Sequence, residues 1–172
     1  MLFRSREGAP LGFVAVQVIT NVSVSPWPGE RTVITIGAYD GVHLGHQSVI
    51  AEVRRRAAAT GARSAVITFD RHPASVVRPE SAPRLLTDLD QKLELLAATG
   101  VDATVVIHFD EHQAAEAPID FARRVLVDCL ATSAVVVGDD FHFGHGRQGN
   151  VATLRELGRD TGFEVFPLSL LR

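Results

Sequence analysis

Two histidines, His43 and His46, stand in the stretch GAYDGVHLGHQSVI (residues 37–50) with only Leu44 and Gly45 between them. Three glycines and an aspartate share that stretch, a composition suited to a turn leading into a helix. At a helix start the first backbone N–H groups lack partners and, with the helix dipole, favour an anion. Histidines at i and i+3 put both rings on one face of the first turn, where each imidazole can donate a hydrogen bond to a phosphate oxygen. Gly45 removes the side chain that would hold an anion away from the backbone. The spacing predicts a phosphate clamp, although so short a pattern also arises as neighbouring surface or capping histidines.

No cysteine lies near this pair, and His72, His142 and His145 fall in separate loops, so no metal ligand is assigned to the protein. Lys92 is the single lysine, so a phosphate-handling lysine would have to be Lys92. Cys129, the single cysteine, sits in an apolar run with Val125, Leu126 and Leu130 and reads as a buried thiol; no intrachain disulfide can form. Arg54 to Arg56 read as a solvated helix face.

The elements that must position these residues follow from periodicity. TVITIG, from Thr32, reads as a buried strand, and residues 45–60 carry apolar positions at helical spacing. SAVITF (64–69) reads as a second strand and LLTDLDQKLELLAATG as a helix capped by Thr87. ATVVIHF (103–109), SAVVVG (133–138) and FEVFPL read as further strands, with helices over 119–130 and 150–162 between them. Three helices end at Thr-Gly, before Gly61, Gly100 and Gly162, where glycine readily takes the left-handed conformation. The alternation predicts an α/β fold: a Rossmann-like parallel sheet of about five strands with helices on both faces. Ligands in such folds bind beyond the carboxyl ends of the strands, which is where 37–46, 69–86 and 138–149 fall.

The totals set the frame. At 172 residues with 46% hydrophobic residues and a mean hydropathy of +0.14, the chain suits one domain, taken as residues 16–172. A net charge of −3 and a pI near 6.1 give no general reason to bind nucleic acid. No apolar stretch approaches the ~18 residues that span a bilayer, and the first segment lacks the order of a secretory signal. Together these predict a cytoplasmic protein without nucleic-acid or membrane partners; oligomeric state is not readable.

TIGAYDGVHLGHQ resembles the signature of the bacterial FMN adenylyltransferase (FAD synthetase) module, usually the N-terminal half of bifunctional riboflavin kinase/FMN adenylyltransferase. That module belongs to the HUP-type nucleotidyltransferases with the His-x-Gly-His motif. TFDRHPASVVRPESAPRLLTDLDQKLELLAATGVDATVVIHFD, FARRVLVDCL and VVVGDDFHFGHGRQGNVATLRELG match the family in the same order, so the resemblance covers about residues 16–167. It implies adenylyl transfer: the FMN phosphate attacks the α-phosphorus of ATP, with Mg²⁺ assistance, giving FAD and pyrophosphate. His43 and His46 would be catalytic, and Gly37, Tyr39, Asp40, Gly41 and Gly45 would shape the nucleotide side. The flavin side would draw on His72, Pro73, Asp140, Phe141, Phe143 and Arg147, although Phe141 and Phe143 alternate in a period that equally suits core packing.

The match departs from the family in places. Ala38 and Tyr39 stand where an Asn or small apolar residue and Phe are usual, and Arg71 replaces a common proline. The family's Ser-Ser-Thr-x-x-Arg motif, which holds the triphosphate, has only Ser169 and Arg172 at the spacing of its end, and no riboflavin kinase domain is expected. Residues 1–15 are expected to be a flexible extension. Two other readings keep the same cleft: nucleotidyl transfer to a different phosphorylated small molecule, and a non-catalytic nucleotide- or flavin-binding module.

Overall fold

Short β-branched runs, apolar on both faces, build the centre of the molecule, as parallel strands covered from both sides must. The computed structural model describes residues 16–169; the expectations for residues 1–15 and Arg172 lie outside them. The strands are β1 (Gln17–Ile19), β2 (Thr32–Ile36), β3 (Arg63–Phe69), β4 (Ala103–Ile107), β5 (Thr132–Gly138), the short β6 (His142–Phe143) and β7 (Gly149–Asn150), and β8 (Glu164–Leu168). The helices are α1 (Leu44–Thr60), α2 (Pro73–Val77), α3 (Leu89–Ala98), α4 (Glu111–Ala114), α5 (Pro118–Ala122) and α6 (Val151–Thr161). Past α5 the chain winds on as a π segment, Arg123–Cys129, with the Leu130 N–H donating to the Val125 carbonyl at 3.1 Å.

The main sheet has the order β1-β4-β3-β2-β5-β8 with every pair parallel. Alternation along β2 shows the two layers. Val33 packs with Val49, Val53 and Ala57 of α1, whereas Ile34 and Ile36 join Leu126 of the π segment and Leu154 and Leu157 of α6. The Rossmann-like architecture holds, with six strands in the main sheet instead of five. The extra one, β1, is three residues long and gives little periodicity; its register, Gln17 opposite Ala103, is set by β4. The β6–β7 hairpin was equally illegible, each strand being two residues long. β4 stops at Ile107, two residues short of expectation, because His108 and the Phe109 N–H turn aside to bind Asp70.

The three Thr-Gly endings behave as expected, with φ of 68° at Gly61, 83° at Gly100 and 96° at Gly162. Cys129 is a buried thiol. The triple arginine is not simply solvated: Arg55 and Arg56 both pair with Glu52, and the Arg56 guanidinium stacks 3.4 Å over the Phe166 ring. Among the described residues no helix is long and apolar enough to cross a membrane.

Candidate active site

From β2 the chain runs through β3 and β4 toward one edge, then returns to place β5 and β8 on β2's other side. In sheets of this kind the reversal marks the usual ligand position, here beyond the carboxyl ends of β2 and β5. Residues 37–43 leave β2 there, and residues 139–149 leave β5.

His43 is the N-cap of α1, in extended backbone (φ −70°, ψ 178°), and its side chain makes no cap hydrogen bond. The first turn of α1 contains no acidic residue, so its N–H groups and dipole remain available to an anion. The rings of His43 and His46 stack at 3.6 Å between centroids, as the i, i+3 spacing predicts. Gly45 has a second use here: a Cβ on it would stand 3.2 Å from the His43 ring.

Tyr39 supports this pair from beneath. Its ring lies 4.7 Å from His46 and is 4% exposed, and its hydroxyl pairs with Thr35 Oγ1 at 2.6 Å. Burial raises the phenol's pKa, with the Thr35 hydrogen bond opposing. Of Tyr39, expected to shape the nucleotide side, the hydroxyl points into the core and the ring lies against His46. Gly37 is required by the same packing, since a Cβ there would approach the Tyr39 ring to 2.9 Å.

Burial first, and then the neighbouring His43, lower the His46 pKa from 6.5 to about 4, with Asp40 opposing. His46 is thus a neutral imidazole at pH 7, a hydrogen-bond donor and not a standing charge. Its Nδ1 is buried and has no hydrogen-bond partner among the described residues. The linkage gives a signed prediction. Above pH 6.5 the ring is neutral folded or unfolded and its contribution is complete; between 6.5 and 4 the unfolded chain binds the proton first and stability falls. At about 1.4 kcal/mol per unit the shift converts to roughly 3 kcal/mol, which solvent access to the half-buried ring reduces to about 1–2 kcal/mol. Urea unfolding at pH 7 and pH 4.5 should show this loss, and His46→Gln should flatten it.

Asp40 turns away from the histidines toward the start of α3. Its carboxylate accepts from Leu86 N–H at 2.8 Å, Thr87 N–H at 2.9 Å and Thr87 Oγ1 at 2.8 Å. Burial pushes its pKa up, but these hydrogen bonds outweigh that and hold it below the usual carboxylate value. Thr87 is therefore not the cap of α3. Asp88 takes that role, accepting from Gln91 N–H at 2.8 Å while the Gln91 side chain returns the bond. The threonine hydroxyl is withdrawn because a carboxylate 47 residues away in sequence accepts it. Lys92, 8% exposed, is likewise committed: its ammonium donates to the Ala38 carbonyl at 3.0 Å and the Phe69 carbonyl at 2.6 Å, tying together the ends of β2 and β3.

His72 caps α2 with Nδ1 accepting from Ala74 N–H at 3.1 Å, and Pro73 starts that helix. Burial lowers the His72 pKa against the pull of Asp40. Sequence reading missed Asp70, which accepts from Phe109 N–H at 2.8 Å and pairs with His108 Nδ1 at 2.6 Å, fastening the ends of β3 and β4. The two lie 38 residues apart, and no local pattern links them.

Beyond β5, Phe143 is 7% exposed and packs into the core beside Phe121. Phe143, expected on the flavin side, thus takes the core position that its alternation with Phe141 equally suits. Phe141, half-buried, stacks on it at 5.4 Å with 13° between planes and carries the remaining aromatic face. Asp140 and Arg147 are exposed on the same loop, Arg147 at a left-handed φ of 55°. Gly144 (φ 77°) lets this loop lie against α5, where a Cβ would come within 2.5 Å of Pro118.

The family description "FAD synthetase" matches residues 26–171. The chain belongs to the FAD synthetase family. It is 38% identical over 133 residues to the bifunctional riboflavin kinase/FMN adenylyltransferase of Pseudomonas fluorescens, covering 77% of this chain and 42% of that protein. It is 35% identical over 143 residues to the protein of that name from Escherichia coli K12, covering 83% of this chain and 46% of that one. This FAD synthetase-family chain spans less than half the length of these relatives. Among solved structures it is similar to a macrolide-efflux protein from Streptococcus pneumoniae (TM-score 0.72, 19% identity, 91% of this chain and 50% of that one). It also resembles pantoate-beta-alanine ligase from Francisella tularensis (TM-score 0.61, 14% identity, 92% of this chain and 68% of that one). At these identities the two structures show a shared fold.

Proposed function

We propose that this chain transfers the adenylyl group of ATP to FMN, giving FAD and pyrophosphate. The observation that carries the reading is the stacked His43/His46 pair at the uncapped start of α1, which follows β2, the strand at which the strand order reverses. In the reaction an oxygen of the FMN phosphate forms a bond to the α-phosphorus of ATP, the bond from that phosphorus to the bridging oxygen breaks, and pyrophosphate leaves with the electron pair. No protein nucleophile is needed, so catalysis is positioning and charge stabilisation. The N–H groups of the first α1 turn and the two imidazoles receive the phosphates. A neutral His46 donates a hydrogen bond to the negative charge that builds up there.

Among the described residues no group of three or more His, Cys, Asp or Glu could cage a metal ion. Mg²⁺ in this reading comes with ATP and supplies charge neutralisation on the phosphates. His72 and Pro73 on one side, and Asp140, Phe141 and Arg147 on the other, form the proposed acceptor side, with Gly37, Gly41 and Gly45 shaping the nucleotide side by letting Tyr39, Leu86 and His43 pack closely against the loop. A single domain over residues 16–172, working in the cytoplasm on small molecules without nucleic acid or membrane, completes the proposal.

Mass spectrometry of a reaction of purified protein, ATP, Mg²⁺ and FMN, with pyrophosphate followed in parallel, tests it. FAD is the expected product; pyrophosphate without FAD would mean another acceptor, and neither would mean a binding module. On the acceptor side, Phe141→Ala removes the exposed half of an aromatic stack and should weaken FMN binding about 2- to 13-fold, given aromatic contacts of roughly 0.5–1.5 kcal/mol. ATP binding should change less than about twofold, and calorimetric titration with each ligand reads both.

A further inference from the structure

The loop that delivers the histidine pair is held in an unfavourable conformation by residues from another part of the chain. Tyr39, Gly41 and Val42 all have left-handed backbone, with φ of 51°, 77° and 41°. For a β-branched residue such as Val42 that region is a true outlier, and it persists only where the surroundings impose it. The surroundings here are Leu86 and Thr87, which precede α3.

Thr87 makes three of the contacts. Its hydroxyl donates to Asp40 Oδ1 at 2.8 Å and accepts from the Gly41 N–H at 3.3 Å, while its own N–H donates to the same carboxylate at 2.9 Å. Leu86 N–H fills the other oxygen at 2.8 Å, and the Leu86 side chain lies over Gly41, 3.0 Å from where a Cβ would be. Opposite this seam Lys92, one turn into α3, grips the Ala38 carbonyl at 3.0 Å. The 38–42 loop is thus clasped from outside immediately before His43, whose cap position lacks any side-chain hydrogen bond of its own.

We infer that Thr87 is a positioning residue for adenylyl transfer, its hydroxyl clasping the 40–42 loop so that His43 and His46 stay stacked at the start of α1. The inference rests on the proposed reaction. Thr87 touches no reacting atom; it acts through Asp40 and Gly41. Because the clasp sets where the imidazoles stand relative to the phosphates, its loss falls on the chemical step more than on substrate capture.

The test compares Thr87→Val, Thr87→Ala and Thr87→Ser with the unmutated chain. Valine keeps the shape without the hydroxyl, alanine removes the same hydroxyl should the valine variant fail to fold, and serine restores it. Loss of the hydroxyl should lower kcat for FAD formation about tenfold or more, with KM for ATP and FMN within about threefold, and serine should return kcat to within about threefold. Amide hydrogen exchange over residues 39–48 should quicken in the alanine variant and not in the serine variant, with β2 and β3 unchanged. Undiminished kcat without the hydroxyl, a change confined to KM, or unaltered exchange over 39–48 would each overturn the inference. If the unmutated chain forms no FAD, the proposed reaction fails, and the exchange comparison still decides whether the clasp exists.

Discussion

His46→Ala should lower FAD formation by the proposed reaction about 100-fold or more, the scale on which loss of one preorganised donor to a charged transition state is felt. The ring lies between His43 at 3.6 Å and Tyr39 at 4.7 Å, so its orientation is set before substrate arrives. Its pKa near 4 leaves it neutral, and an uncharged donor still gains strength where water is excluded. The fold should tolerate the change, because Nδ1 of the half-buried ring has no hydrogen-bond partner among the described residues and the site, not the core, loses the group. The check is kcat and KM for FAD formation, with His46→Gln beside it; glutamine keeps a donor at the position and should recover part of the rate. Turnover equal to that of the unmutated chain in His46→Ala would remove the phosphate clamp from the mechanism.

Lys92→Ala should destabilise the chain by about 2–4 kcal/mol, combining a cavity beneath α3 with carbonyls that lose a charged donor. The ammonium joins Ala38 and Phe69, the residues that leave β2 and β3 for the two loops of the site. Burial lowers the lysine's pKa against the pull of Asp40 and Asp70, so its desolvation is only partly offset. That is why Lys92→Met, which keeps the stem and removes the charge, should recover most of the stability while leaving the strand ends untied. Urea unfolding of both variants, with FAD formation measured on the methionine one, separates the two effects: stability near that of the unmutated chain with reduced turnover is the expected result. Full turnover in Lys92→Met would make the lysine a packing residue alone.

The role of Lys92 also shows why a residue's type does not declare its work. As the single lysine it was the natural candidate for a phosphate, yet its partners are two carbonyls, 54 and 23 residues away in sequence. Phe143 reads equally as ligand contact or core from its alternation with Phe141, and in the fold its ring packs beside Phe121.

What the sequence determined by itself is whatever depends on neighbours in the chain. The buried strands, the left-handed glycines that close α1, α3 and α6, and the stacking of His43 on His46 all follow from residues a few positions apart, where steric and rotamer preferences act directly. So does the family, whose ordered motifs run along the chain. Only the tertiary structure decided that Thr87 serves Asp40 instead of capping α3, that Tyr39 turns its hydroxyl down to Thr35, and that β1 is a strand at all. Each of these depends on a hydrogen-bond partner or a sheet edge supplied by a distant part of the chain. Buried polar groups must be paired, and in a parallel sheet the partners are brought together by crossovers that no local pattern records.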